Sequence, residues 1–126
     1  MSKEIATIEQ IFESENLDAN AIVITGIPER HIEAVKAIAK LFVATDYHNP
    51  TFKPDFTDYD QYKYSAYAEM GSPSGVGFSY CDYDYWITDS AVGSRLVSES
   101  RETAKMIFDE YQDLYKAFMV YDREVK

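Results

Sequence analysis

Arg95 follows Gly93 and Ser94 in a stretch otherwise rich in acids and tyrosines, and it has the most capacity for chemistry of any residue in the chain. A guanidinium beside aromatic faces can hold an anionic or planar ligand, such as a nucleotide, through paired hydrogen bonds and stacking. Lys63 on a nearby strand, together with Tyr85 and Trp86, would complete such a pocket. The competing reading is plainer: Arg95 pairs with Asp82, Asp84 or Asp89 and only balances local charge.

The other reactive residue types lack the spacing that chemistry needs. His31 and His48 stand at opposite ends of one expected helix, about 25 Å apart at 1.5 Å per residue, so they cannot share a metal. Both read as solvent-exposed polar residues. Asp55, Asp58 and Asp60, with Asp82, Asp84 and Asp89, could gather calcium oxygens. A calcium loop, however, wants Gly at its sixth position, where counting from Asp55 gives Asp60 and counting from Asp58 gives Lys63. These aspartates read as turn residues. Cys81 has neither a CxxC partner nor a neighbouring base to lower its pKa, and reads as a small packing residue at a strand end. Gly71, Gly75 and Gly77 match no phosphate-loop spacing and precede a strand rather than a helix, so they read as a turn. No metal site and no cofactor is expected, and no catalytic set emerges.

The runs DYDQYKY and SYCDYDYWITD alternate acids with aromatics. Exposed, they would form a recognition surface for a basic partner or a mimic of nucleic-acid charge; buried on one face, they would be a tyrosine-rich core. The residues expected to bind a partner or ligand are therefore Arg95, Lys63, Tyr67, Asp82, Tyr83, Asp84, Tyr85 and Trp86.

A formal net charge of −10 disfavours direct binding to a nucleic-acid backbone, which depends on Lys and Arg displacing counterions, and it also repels anionic membranes. A lone cysteine excludes an internal disulfide and suits a reducing compartment. The polar start MSKEIATIEQ lacks a signal-peptide core, and the longest apolar run, AIVITGI, is far short of the roughly 18 residues of a membrane span. These features predict a cytoplasmic protein. The 126 residues suit one domain, with residues 1–27 as a helical N-terminal extension and connector.

Secondary structure is legible along most of the chain. A short helix covers about residues 7–16, with Thr7 and Gln10 as a capping box and Ile5, Ile8, Ile11 and Phe12 as its apolar side. A long helix covers about 28–46, opened by Pro28, with Ile32, Val35, Ile38, Ala39 and Phe42 as its buried stripe. Period-two alternation in YKYSAYAEM sets Tyr62, Tyr64, Ala66, Ala68 and Met70 on one face, opposite Lys63, Ser65, Tyr67 and Glu69. GSPSG reads as a hairpin loop, and a return strand sets Val76, Phe78 and Tyr80 on the core face. A third strand is expected at Tyr85–Thr88 and a fourth at about 92–97. A last helix, capped by Ser100, runs to about residue 121 with the stripe Ala104, Ile107, Phe108, Tyr111, Leu114, Tyr115, Phe118 and Met119. The expected class is α+β: a small antiparallel sheet of three to five strands, at about 62–97, packed by two long helices and a short N-terminal one.

The segments FKPDFTDYDQYKYSAYAEM, GVGFSYCDYDYW and VGSRL, with the helix ending DLYKAFMV, resemble a recurring small protein family of gut Bacteroidetes phages and prophages. The resemblance covers about residues 28–120 and is densest from Phe52 to Leu96. Ala66 and Ala68 depart from it, where larger residues belong to the pattern, as does Met106–Asp109, which lacks the family's small residues. The resemblance implies no catalytic residue. It implies a phage product acting in the host cytoplasm. With the charge and the tyrosine-rich runs, it predicts a non-enzymatic binding protein that inhibits or modulates a host or anti-phage defence component. The alternatives are a small-ligand or nucleotide-sequestering protein and a virion accessory protein; a homo-oligomer is compatible with each.

Overall fold

The computed structural model describes residues 4–58, 60–69, 71, 75, 77–86 and 94–123, and for residues 66, 67, 69, 79–86 and 94 the backbone alone. The first helix, α1 (Ile8–Ser14), starts as its sequence demands: Gln10 N donates to the Thr7 hydroxyl at 3.2 Å, and Thr7 N donates to Gln10 Oε1 at 2.9 Å. It stops at Asn16, which adopts a left-handed φ of 60°. Asn16 N then donates to Glu13 O and Leu17 N to Phe12 O, the paired bonds of a Schellman cap.

A single 3-10 turn (Glu29–His31) after Pro28 leads into α2 (Ile32–His48). Its buried residues are Ala37, Leu41, Ala44 and Thr45, while Val35 is exposed and Ile32, Ile38, Ala39 and Phe42 are half-buried. The expected stripe is therefore a flank of the true one. α2 packs against α1 and against the last helix of the chain, with Ala37, Leu41 and Ala44 on its buried line.

The expected last helix is two: α3 (Arg101–Glu110) and α4 (Gln112–Met119), parted at Tyr111 with φ −113° and ψ 34°. Ser100 caps α3, accepting from Thr103 N at 3.2 Å. The apolar stripe runs through the break, but α3 lies against the strands and α4 against α2. One straight helix cannot face both surfaces, and the bend at Tyr111 turns the stripe from one to the other. Ile11, Leu41, Ala44, Leu96, Ile107, Phe108, Tyr111 and Tyr115 form the shared core, with the Phe108 and Tyr115 rings 4.8 Å apart. Fully burying a residue such as Leu41 or Phe108 contributes roughly 1.5–3 kcal/mol before chain entropy is charged.

The expected α+β class and its sheet of three to five strands are corrected. The fold is mostly helical, and among the described residues its β-structure is one antiparallel pair, β1 (Lys63–Glu69) and β2 (Ser79–Trp86). The pairing sets Lys63 opposite Trp86, Ser65 opposite Asp84 and Tyr67 opposite Asp82, then slips so that Ala68 faces Tyr80. Cys81 is thus the extra residue of a bulge inside β2, not a residue at a strand end. Tyr85 and Trp86 close β2 instead of opening a third strand; residues 87–88 lie outside the described residues. In place of the fourth strand, Ser94–Leu96 forms a 3-10 turn, and Ser98 makes a single bridge to Tyr64 (N–H···O 3.1 and 2.7 Å). Leu96 and Val97 are both buried, which the two-faced alternation of a strand does not allow at the edge of a ribbon. No helix among the described residues is long and apolar enough to cross a membrane.

Candidate ligand-binding site

Helical geometry puts positions i, i+3, i+4 and i+7 on one face, and at the C-terminal end of α2 those positions are Phe42, Thr45, Asp46 and Asn49. The loop leaving the helix brings Phe52 and Pro54 over that face, and the 3-10 turn before α3 brings Arg95 and Val97. Together these eight residues line a cleft of about 210 Å³.

Its back wall is held by Asn49. The amide Nδ2 donates to Thr45 O at 2.9 Å and to Ser98 Oγ at 3.1 Å, while Oδ1 accepts from Glu99 N at 2.9 Å. One buried side chain thus ties the end of α2 to the chain entering α3. Thr45 is 3% exposed, and its hydroxyl has no hydrogen-bond partner among the described residues. Helical threonines commonly satisfy that group on the carbonyl a turn earlier. Arg95 stands at the mouth, exposed, with its guanidinium carbon 5.7 Å from the centre of the Phe42 ring. It forms no ion pair among the described residues.

The expected pocket of Arg95 with Lys63 is corrected. Lys63 does not line this cleft but is fully buried, with its ammonium among Phe56, Asp58 O and Gln61 O. Gln61 organises the loop before β1, donating to Lys53 O at 3.0 Å and accepting from Asp55 N at 2.6 Å. The Lys63 ammonium donates to Gln61 O at 2.9 Å and lies 5.1 Å from the Phe56 ring centre. Tyr62, grouped by alternation with Tyr64, is exposed, and the two rings are 6.5 Å apart. For Tyr67, Asp82, Tyr83, Asp84, Tyr85 and Trp86, backbone and register are described; their side chains lie outside the described residues, as does Asp89. Asp55 and Asp58 do turn work: Asp55 accepts from Thr57 N and Asp58 from Asp60 N, each at 2.9 Å. The Thr57 hydroxyl, then its backbone N–H, hold the exposed Asp55 carboxyl below its ordinary pKa. Among the described residues no group of three His, Cys, Asp or Glu side chains gathers for a metal.

His48 is not the free surface histidine expected. It is half-buried, with Nε2 2.7 Å from the Tyr111 hydroxyl. Burial lowers its pKa, opposed by the Glu110 carboxylate. Burial raises that of Tyr111 to about 12, helped by Glu110 and Tyr47. His48 borders a larger cleft of about 460 Å³ with Glu4, Ile5, Ala6, Gln10, Tyr47 and Met106. There the imidazole is already engaged by Tyr111, whereas the Arg95 cleft has a cation without an ion pair among the described residues. The sequence held one signal for the Arg95 cleft: Thr45, Asp46 and Asn49 break the apolar period of α2 within a single face.

No family model, curated protein or solved structure matches this chain.

Proposed function

We propose that the protein acts by binding rather than catalysis, and that the cleft at the end of α2 holds a small molecule through a negatively charged group on Arg95. The observation that carries this is the exposed guanidinium over the Phe42 ring, without an ion pair among the described residues, lining a cleft. An arginine already positioned on an aromatic face presents its fork to a carboxylate or phosphate at little further entropic cost. In the phage setting that the sequence resembles, sequestering a small molecule in the host cytoplasm would be the protein's effect. Thermal unfolding with inorganic phosphate and small mono- and dicarboxylates tests the reading. At least one probe is expected to raise Tm for the wild type and not for Arg95→Ala. Equal stabilisation of both proteins, or none by any probe, refutes it.

A second reading is favoured by the edge of β2. Among the described residues that edge, away from β1, pairs with no strand. An unpaired edge accepts an added strand from a partner protein, here a host or defence component, with the acids of β2 favouring a basic one. Pull-down from host lysate tests it. A specific partner lost on charge reversal at Asp82 and Asp84 supports it; retention of the same partner by that variant counts against it.

A further inference from the structure

Arg95 shares its cleft with a charge of opposite sign, Asp46. Both side chains are exposed, and they do not pair with one another. Asp46 also sits in the last turn of α2, where a carboxylate opposes the helix dipole. A ligand that carries a cation and an anion close together would bridge the two and satisfy both.

Size and overall charge point the same way. The cleft volume of about 210 Å³ lies below the roughly 300 Å³ at which pockets for drug-sized ligands begin, which favours a small ligand. A chain of net charge −10 repels polyanions at long range, whereas a zwitterion has no net charge to be repelled. Phe42, Phe52, Pro54 and Val97 supply an apolar wall beside the charges, and the Asn49 amide donors are spent on Thr45 O and Ser98 Oγ, so orientation falls to Arg95 and Asp46.

We infer, on the premise that the cleft binds a small molecule, that it takes a free amino acid with an apolar side chain: carboxylate on the Arg95 guanidinium, ammonium on Asp46, side chain against Phe42, Phe52 and Pro54. Asp46→Asn keeps the size of the residue and removes the carboxylate from an exposed position, so the fold should survive. Isothermal titration of the wild type, Asp46→Asn and Arg95→Ala tests the inference. The ligands are the twenty protein L-amino acids, with 3-phenylpropionate and 4-methylpentanoate as deaminated probes and phenethylamine as a decarboxylated one. Phenylalanine or leucine is expected to bind the wild type at least tenfold more tightly than its deaminated counterpart. Asp46→Asn should abolish that preference while still binding the carboxylates, and Arg95→Ala should bind neither. Equal affinity for amino acid and deaminated acid, both lost in Arg95→Ala, overturns the zwitterion and leaves the small-ligand reading standing. Amine binding as tight as that of the amino acid also overturns the zwitterion. No binding by any of these compounds overturns both for this size of ligand.

Discussion

Tyr111 and His48, 63 residues apart in sequence, are joined by a hydrogen bond of 2.7 Å. The same hydroxyl donates its one proton to Ala6 O, also at 2.7 Å, so the bond to His48 must use the imidazole Nε2–H as donor. The neutral imidazole therefore carries its proton on Nε2. This three-part contact holds the chain entering α1 onto α2 and the α3–α4 bend. Tyr111→Phe removes both bonds while keeping the ring, and should cost about 2 kcal/mol at about 1 kcal/mol per bond. Urea unfolding with an unchanged m-value measures it, and hydrogen exchange at Ile8–Ser14 should accelerate. Wild-type stability in this variant would show that the hydroxyl contributes nothing.

His48 also makes stability pH-dependent. Its folded pKa lies below its ordinary 6.5 because burial disfavours the imidazolium. The unfolded chain then binds the proton more readily, so this contribution to stability is complete above about pH 6.5 and is lost as pH falls through the window down to the lowered folded value. His48→Gln should flatten the stability profile between about pH 7 and 5 relative to the wild type. An unchanged slope in that variant would remove His48 as the cause. The raised pKa of Tyr111, about 12, acts at the other extreme: its contribution is complete below pH 10 and is lost as pH rises through the folded value.

Thr45→Val keeps the shape of the side chain and removes a buried hydroxyl that has no partner among the described residues. In the absence of ligand it should stabilise the protein by about 1 kcal/mol, the cost of desolvating such a group. Thermal and urea unfolding measure this. Destabilisation instead would mean that the hydroxyl is satisfied in solution.

Asn49→Ala should be among the most damaging single changes, at about 2–4 kcal/mol. It leaves buried Thr45 O and Ser98 Oγ, and Glu99 N in a half-buried setting, without their partner. It should also abolish ligand binding at the Arg95 cleft, because the wall linking α2 to the chain before α3 is gone. A stable variant that still binds ligand would show that the wall stands without this amide.

Lys63→Met retains the aliphatic stem and loses the ammonium that donates to Gln61 O. The expected cost is about 2 kcal/mol, in the range for a hydrogen bond from a charged group, with faster exchange of the Asp58–Gln61 amides. Neutral or improved stability would show that burying the cation offsets what its bonds contribute.

Features that depend on neighbours within a few residues were written into the chain itself. The Thr7–Gln10 box, the Ser100 cap, the aspartate turns and the apolar period from Ala104 to Phe118 were legible because each arises within one or two turns of chain. Arg95 stood out because it is a cation in an acidic stretch, but its setting did not. Its aromatic neighbour is Phe42, more than fifty residues earlier, and among the described residues its polar companions in the cleft come from the end of α2 rather than from Lys63. Period-two alternation identified a strand at YKYSAYAEM, yet it could not tell that Lys63 would be buried and Tyr62 exposed. Nor could it show that Leu96 and Val97 would both turn inward. These points were settled by tertiary packing, because burial depends on what lies across the core. It is the packing of α3 on the strands and of α4 on α2 that bends the last helix at Tyr111, and tertiary packing that sets Arg95 and Asp46 in one cleft.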